Sequence, residues 1–156
     1  MRTKKPPIGS TEEQVRFVSG ANRKIAPPST VPLDAQDVAF FEGIIAEFAR
    51  AEWTAHQLEL AAMLARTMAD LVTEQHLLRQ EGGVVDGPKG PILNPRKGIV
   101  GMHTASILGL RRSLSLHALA RDGMPRDVAK RRAVAKQLES NARNADDGDG
   151  LIARPH

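Results

Sequence analysis

Apolar residues recur in alternating steps of three and four along residues 54–81. Leu58, Ala61, Ala65, Met68 and Val72 form one row, and Leu60, Leu64, Leu71 and Leu78 form a second beside it. Glu59, Arg66, Asp70 and Thr73 occupy the remaining strip. Such spacing places each row along one side of a helix. The segment has no Pro or Gly and is rich in the strongest helix formers. A surface helix of a monomer needs one apolar stripe. Two stripes predict packing on two sides: one against a second arm, the other against a neighbouring copy of the chain. The alternative is a helix central to its own monomer's core.

Gly82-Gly83, Asp86-Gly87-Pro88-Lys89-Gly90-Pro91 and Asn94-Pro95 interrupt the pattern, because this density of Gly and Pro cannot continue a helix. Val84-Val85 and Ile92-Leu93 flank the interruption and allow a small hairpin. A second arm then runs from Arg96 to about Leu116. Val100, Ile107 and Leu114 are its apolar row. Gly101, Ala105, Gly109 and Ser113 put small residues on one face at four-residue steps, which suits close approach of another helix.

Upstream, Asp34 caps a helix expected to reach Glu52-Trp53, with Val38, Phe40, Phe41, Ile44, Ile45 and Phe48 on its apolar face. Thr54 caps the long arm, and Trp53 belongs in the core at the corner between them. A short helix from Thr11 to Val18, capped by Thr11, is compatible with Thr11-Glu12-Glu13-Gln14. Downstream, Pro125 suits the first turn of a basic, thinly amphipathic helix ending near Asn141. The expected fold is all-α, a long antiparallel helical hairpin preceded by a shorter helix. The expected organisation is a flexible basic Pro-rich leader (1–33), a helical oligomerisation core (34–117), a basic, partly helical segment (118–143) and a flexible acidic tail with a short apolar end (144–156).

Charge changes this picture. The chain carries +4 overall, but residues 34–86 hold three Arg against ten Asp and Glu, while residues 96–143 hold eleven Lys and Arg against three acids. The basic flanks therefore point to nucleic acid or another acidic partner, although the acidic arm also neutralises part of the basic one. One Trp, four Phe and no Tyr give poor support to base stacking on single strands.

Catalytic chemistry is not visible. The chain has no Cys, and His56, His76, His103, His117 and His156 form no metal-ligand spacing. Gly82 and Gly87 begin to spell a phosphate loop, but Pro88 stands where Lys is required and no Ser or Thr follows Lys89. No enzyme activity, metal or cofactor is expected. No apolar run is long enough for a membrane span, and Met1–Gly20 lacks an apolar signal core, so a cytoplasmic location is expected.

The order of these features resembles the small subunit of tailed-bacteriophage terminases. It comprises the basic Pro-rich leader, the long helix ending in Leu77-Leu78-Arg79-Gln80-Glu81-Gly82-Gly83, and the connector with Lys89-Gly90-Pro91 closing on Asn94-Pro95. Next come Leu108-Gly109-Leu110-Arg111-Arg112, a basic segment, and an acidic tail closing on Leu151-Ile152-Ala153. The resemblance covers most of residues 30–156. It implies a homo-oligomeric ring of about eight to eleven subunits that binds double-stranded viral DNA at the packaging site in the host cytoplasm. It also implies recruitment of the large ATPase-nuclease subunit.

Many members of that family carry a helix-turn-helix. The pair available here, 34–52 with the start of 54–81, is acidic, so DNA contact is assigned to Arg126, Lys130, Arg131, Arg132 and Lys136, with Lys4, Lys5, Arg23 and Lys24 of the leader. Leu60, Leu64, Leu71 and Leu78, with Gly101, Ala105 and Gly109, are the candidate oligomer interface. Leu151, Ile152 and Pro155 are the candidate docking segment for the large subunit. A non-enzymatic helical adaptor for an acidic protein is the alternative.

Overall fold

The computed structural model describes residues 10–116 and 126–147; at positions 126–129, 131, 146 and 147 the description is of the backbone. In chain order the elements are α1 (Thr11–Ala21), α2 (Ala35–Ile45), a 3-10 turn (Arg50–Glu52), α3 (Ala55–Glu81), β1 (Val84–Gly87), β2 (Gly90–Leu93), α4 (Arg96–Ser113) and α5 (Arg126–Asp147). The molecule is mostly helical, as expected. The connector forms an antiparallel ribbon with Val84 opposite Leu93 and Gly87 opposite Gly90.

The long arm starts where its cap predicts. Thr54 Oγ1 accepts from the Gln57 amide at 3.3 Å, and the Thr54 amide donates to Gln57 Oε1 at 3.0 Å. This reciprocal capping satisfies donors that the first helical turn leaves unpaired. The helix then packs against both α2 and α4. Phe41, Ile44, Trp53, Leu58, Ala61, Ala62, Leu64, Ala65 and Leu114 form the main core, and Leu60, Ile107 and Leu110 pack onto it. The three alanines let neighbouring helices approach α3 closely.

The two stripes of α3 are therefore largely satisfied within one chain, and the outward role expected of Leu64 is corrected. Its exposure is 0%, because α4 returns along α3 and brings Leu114 into the same cluster. Leu60, Leu71 and Leu78 are half-buried. By contrast, α4 buries none of its own residues between Arg96 and Ser113.

Several boundaries differ from expectation. The apolar pattern of α2 continues past Ile45, yet the helix stops there. The Trp53 indole N–H donates to the Ile45 carbonyl at 3.1 Å, taking the acceptor that a continuing helix would offer to the Ala49 amide. Within the leader, the described residues 10–33 include a helix longer than expected. Ser10, rather than Thr11, caps α1 by accepting from the Glu13 amide, and α1 extends to Ala21. Phe17 and Ala21 are buried, and Phe17 joins Ala49 and Ala135 in a second small core. At the other end, α5 continues through Asn144–Asp147, residues expected to belong to the acidic tail.

A polar clamp sets the base of the hairpin. Asn94 is buried; its side-chain amide donates to Glu81 Oε2 and to the Gly82 carbonyl, both at 3.0 Å, while its Oδ1 accepts from the Arg96 amide at 2.9 Å. Arg96 grips Glu81 with two donors at 3.0 and 2.7 Å and reaches Glu74 at 2.5 Å. Gly82 turns the chain out of α3 at φ +87°, a conformation that glycine adopts without steric cost.

Hydrogen bonds from Arg96, then from Asn94, hold the Glu81 carboxyl down to about 2 from an ordinary value of 4.5. A depressed carboxylate stabilises the fold fully above its unfolded value and loses that contribution as pH falls through its folded one. The clamp should therefore weaken between about pH 4.5 and pH 2. A carbon-detected NMR titration should place the Glu81 midpoint near the lower limit, and Glu81→Gln should reduce the pH dependence of unfolding over that interval. A Glu81 midpoint at the ordinary value would contradict the clamp.

Candidate nucleic-acid interface

The basic helix α5 is positioned by the corner between α2 and α3. Glu139, buried on α5, accepts from the Arg50 amide at 2.8 Å and pairs with the guanidinium groups of Arg50 and Arg143. Arg143 also reaches the Ala21 carbonyl. The Arg132 guanidinium lies over the Phe48 ring at 4.1 Å, and that ring meets Trp53 at 5.3 Å in a tilted pair. Ala135 is fully buried beside Phe17 and Ala49.

Leader residues complete the corner. Arg23 donates to the Trp53 carbonyl at 3.2 Å, Arg50 donates to the Arg23 carbonyl at 2.8 Å, and Arg16 donates to the Ala51 carbonyl at 3.1 Å. A Cβ on Gly20 would stand 2.6 Å from that of Ala51, so α1 crosses the 3-10 turn at a distance only glycine permits.

This arrangement divides the cations assigned to DNA. Arg132 and Lys136 lie on the α5 stripe shared with Glu139 and Arg143, and Arg132 is part of the packing. Arg23 is likewise engaged at the corner. Lys24, Lys130 and Lys136 are exposed. Arg126 and Arg131 are on α5, where the backbone alone is described, and Lys4 and Lys5 lie outside the described residues. Among the described side chains of α5, Glu139 is the one acid, and it is buried and paired. The charge that the described side chains of α5 turn outward is therefore positive. Sequence reading missed the roles of Glu139, Arg50 and Arg143. The i, i+4 spacing of Glu139 and Arg143 was the available signal, whereas the partner Arg50 lies far away in the chain.

The α3–α2 pair also departs from a helix-turn-helix. Residues 46–54 separate α2 from α3, longer than the three- or four-residue turn of that motif. Gly101, Ala105 and Gly109 are exposed on α4, and a Cβ at Gly101 or Gly109 would meet nothing within 4 Å. Ile99, Met102 and Leu108 are exposed on the same helix, Met102 by 66% and Leu108 by 52%. Leu151, Ile152 and Pro155 lie outside the described residues.

The sequence matches the Hendrixvirinae small terminase family over residues 1–156. The chain belongs to that family. It is 33% identical over 138 residues to the small subunit of the terminase of Enterobacteria phage HK97, spanning 84% of this chain and 83% of the relative. In this small terminase, the cation-rich helix thus combines two roles that composition alone does not separate, packing on its inner stripe and a positive outward charge. No helix among the described residues is long and apolar enough to cross a membrane.

The inner stripe predicts unequal effects from neighbouring cations. Arg132→Ala removes a cation–aromatic contact and should destabilise the fold by about 0.5–2 kcal/mol. Lys130→Ala, at an exposed position, should stay within about 0.5 kcal/mol of the parent. Chemical denaturation of the two variants checks this; equal midpoints would mean that the Arg132–Phe48 contact contributes nothing.

Proposed function

We propose that this small terminase initiates genome packaging in the host cytoplasm by binding double-stranded viral DNA and recruiting the large ATPase-nuclease subunit. Its role is recognition and regulation rather than catalysis. Membership of the family supports the general role. The outward positive charge of the described α5 side chains, left when Glu139 is buried and neutralised, is the observation that supports DNA contact on this side of the chain. Lys24, Lys130 and Lys136 are the exposed described contributors, with Arg126, Arg131, Lys4 and Lys5 completing the footprint. Arg23 and Arg132 act by holding the corner together.

Assembly is the second part of the reading. A closed ring of about eight to eleven copies brings many weak phosphate contacts onto one DNA and raises their effective concentration. The outward face of α4 is the proposed interface. Ile99, Met102 and Leu108 supply apolar area, and Gly101, Ala105 and Gly109 permit close approach. Leu60, Leu71 and Leu78 border the hairpin, whereas Leu64 acts inside it. Leu151, Ile152 and Pro155 are proposed to dock on the large subunit.

Replacing Lys24 and Lys130 together by Ala should weaken duplex binding to a similar degree across sequences. Each lost phosphate contact should flatten the dependence of log affinity on log salt by about 0.9. Unchanged affinity and slope would move DNA contact elsewhere; no duplex binding by the parent chain at low salt would favour an adaptor for an acidic protein. Deleting residues 148–156 should preserve DNA binding while reducing stimulation of the large subunit's ATPase. Undiminished stimulation would remove the tail from recruitment.

A further inference from the structure

A groove of about 600 Å³ runs between α2 and the C-terminal half of α5. Ile25, Val38, Phe41, Ile45 and Phe48 give it an apolar lining. Arg50, Lys136 and Arg143 bring positive charge to its edge, and Glu42 and Glu139 bring negative charge. Packing within the described chain leaves this groove open although it borders the main core.

We propose that the groove is the docking place of the chain's own C-terminal segment, with Leu151 and Ile152 on its apolar lining. Three observations select this occupant. The first is reach. Lys136, Glu139, Ser140 and Arg143 share the groove-facing stripe of α5, and the helix ends at Asp147. From Asp147 back to Lys136 is about 16 Å along the helix axis, and the five residues 148–152 extend over about 17 Å. The two apolar residues can therefore lie opposite the middle of the stripe.

The second observation is reversal. Gly148 follows the last described residue of α5 directly, glycine is the residue that most often turns a chain out of a helix, and Gly150 gives a second permissive point. The third is charge order. Asp149 precedes the apolar pair and Arg154 follows it. A segment returning along α5 places the acid opposite Arg143, about 6 Å back from Asp147 along the helix axis, and the groove's lining holds an acid, Glu42, for the Arg154 cation.

The docked segment is the same one proposed above to meet the large subunit. Its burial would hold back recruitment until the large subunit competes for it, a consequence that rests on the proposed function. Docking itself can be read without DNA or large subunit, so the two ideas fail separately.

The chain has no cysteine, so pairs can be placed cleanly. Val38→Cys at the groove wall with Ala153→Cys should form an intramolecular disulfide under mild glutathione oxidation. The rate should exceed by at least about tenfold that of Val84→Cys with Ala153→Cys, since Val84 is exposed on β1, away from both the groove and α4's outward face. Adding Leu151→Asp and Ile152→Asp should bring the first rate down to the second. Trp53 emission, taken at the corner beside the groove, checks that each variant keeps the fold. Equal rates for the two pairs would overturn the proposal. So would predominantly intermolecular disulfides, which would assign the groove to a neighbour's tail.

Discussion

The hairpin turns on a group of side chains that must all be polar and all be partnered. Asn94 is buried at the base of the ribbon, where an unpaired amide would be costly. It avoids that cost by donating to Glu81 and Gly82 and accepting from the Arg96 amide. Arg96 then closes on Glu81 and Glu74. One residue of β2's exit, one of α4's first turn and two of α3 are thus fixed to one another. The direction in which α4 leaves the ribbon follows from this group, and so does the arrival of Leu114 in the core beside Leu58 and Leu64.

That geometry decides which surfaces are used inside the chain. α3 meets α2 and α4, and its alanines and Leu64 are consumed in the monomer's core. α4 lends Ile107 and Leu110 to the core as half-buried residues, and full burial comes only at Leu114. A helix that exposes Ile99, Met102 and Leu108 among small residues has apolar area that the described residues of its own chain do not cover. The corner at Ala49–Trp53 makes the corresponding choice for charge. Arg23, Arg50, Arg132 and Arg143 are drawn inward to carbonyls, a carboxylate and an aromatic ring, while Lys24 and Lys130 stay outside. The division agrees with side-chain chemistry: guanidinium groups are planar, multiply donating and weakly hydrated, so they tolerate packing better than ammonium groups.

Much of the hairpin was legible in the sequence because local rules act there. Thr54 and Gln57 cap α3, glycines end it, and Asn94-Pro95 opens α4 at the expected place. The direction of the second α3 stripe was not legible. Periodicity shows that Leu64 needs a partner and cannot say whether the partner is in the same chain. The end of α2 was hidden for a similar reason: no Gly or Pro lies between Ile45 and Trp53, and the helix yields to a hydrogen bond from Trp53, eight residues away. The inner stripe of the basic helix was not legible, because the pairing of Glu139 with Arg50 joins positions 89 residues apart. Site residues in the leader's first nine positions and in the C-terminal segment lie outside the described residues, so their assignment still rests on the sequence.

The central proposal is that the clamp leaves α4, rather than the leucine row of α3, as the face on which copies of this small terminase would assemble. Native mass spectrometry of the full chain beside its Leu108→Asp and Leu71→Asp variants, at micromolar concentration, tests it most directly. The account predicts a closed oligomer for the parent chain, folded monomers for Leu108→Asp with Trp53 emission unchanged, and an oligomer retained by Leu71→Asp wherever that variant folds. A monomeric parent chain, or a Leu108→Asp variant with the parent's oligomer intact, would contradict it.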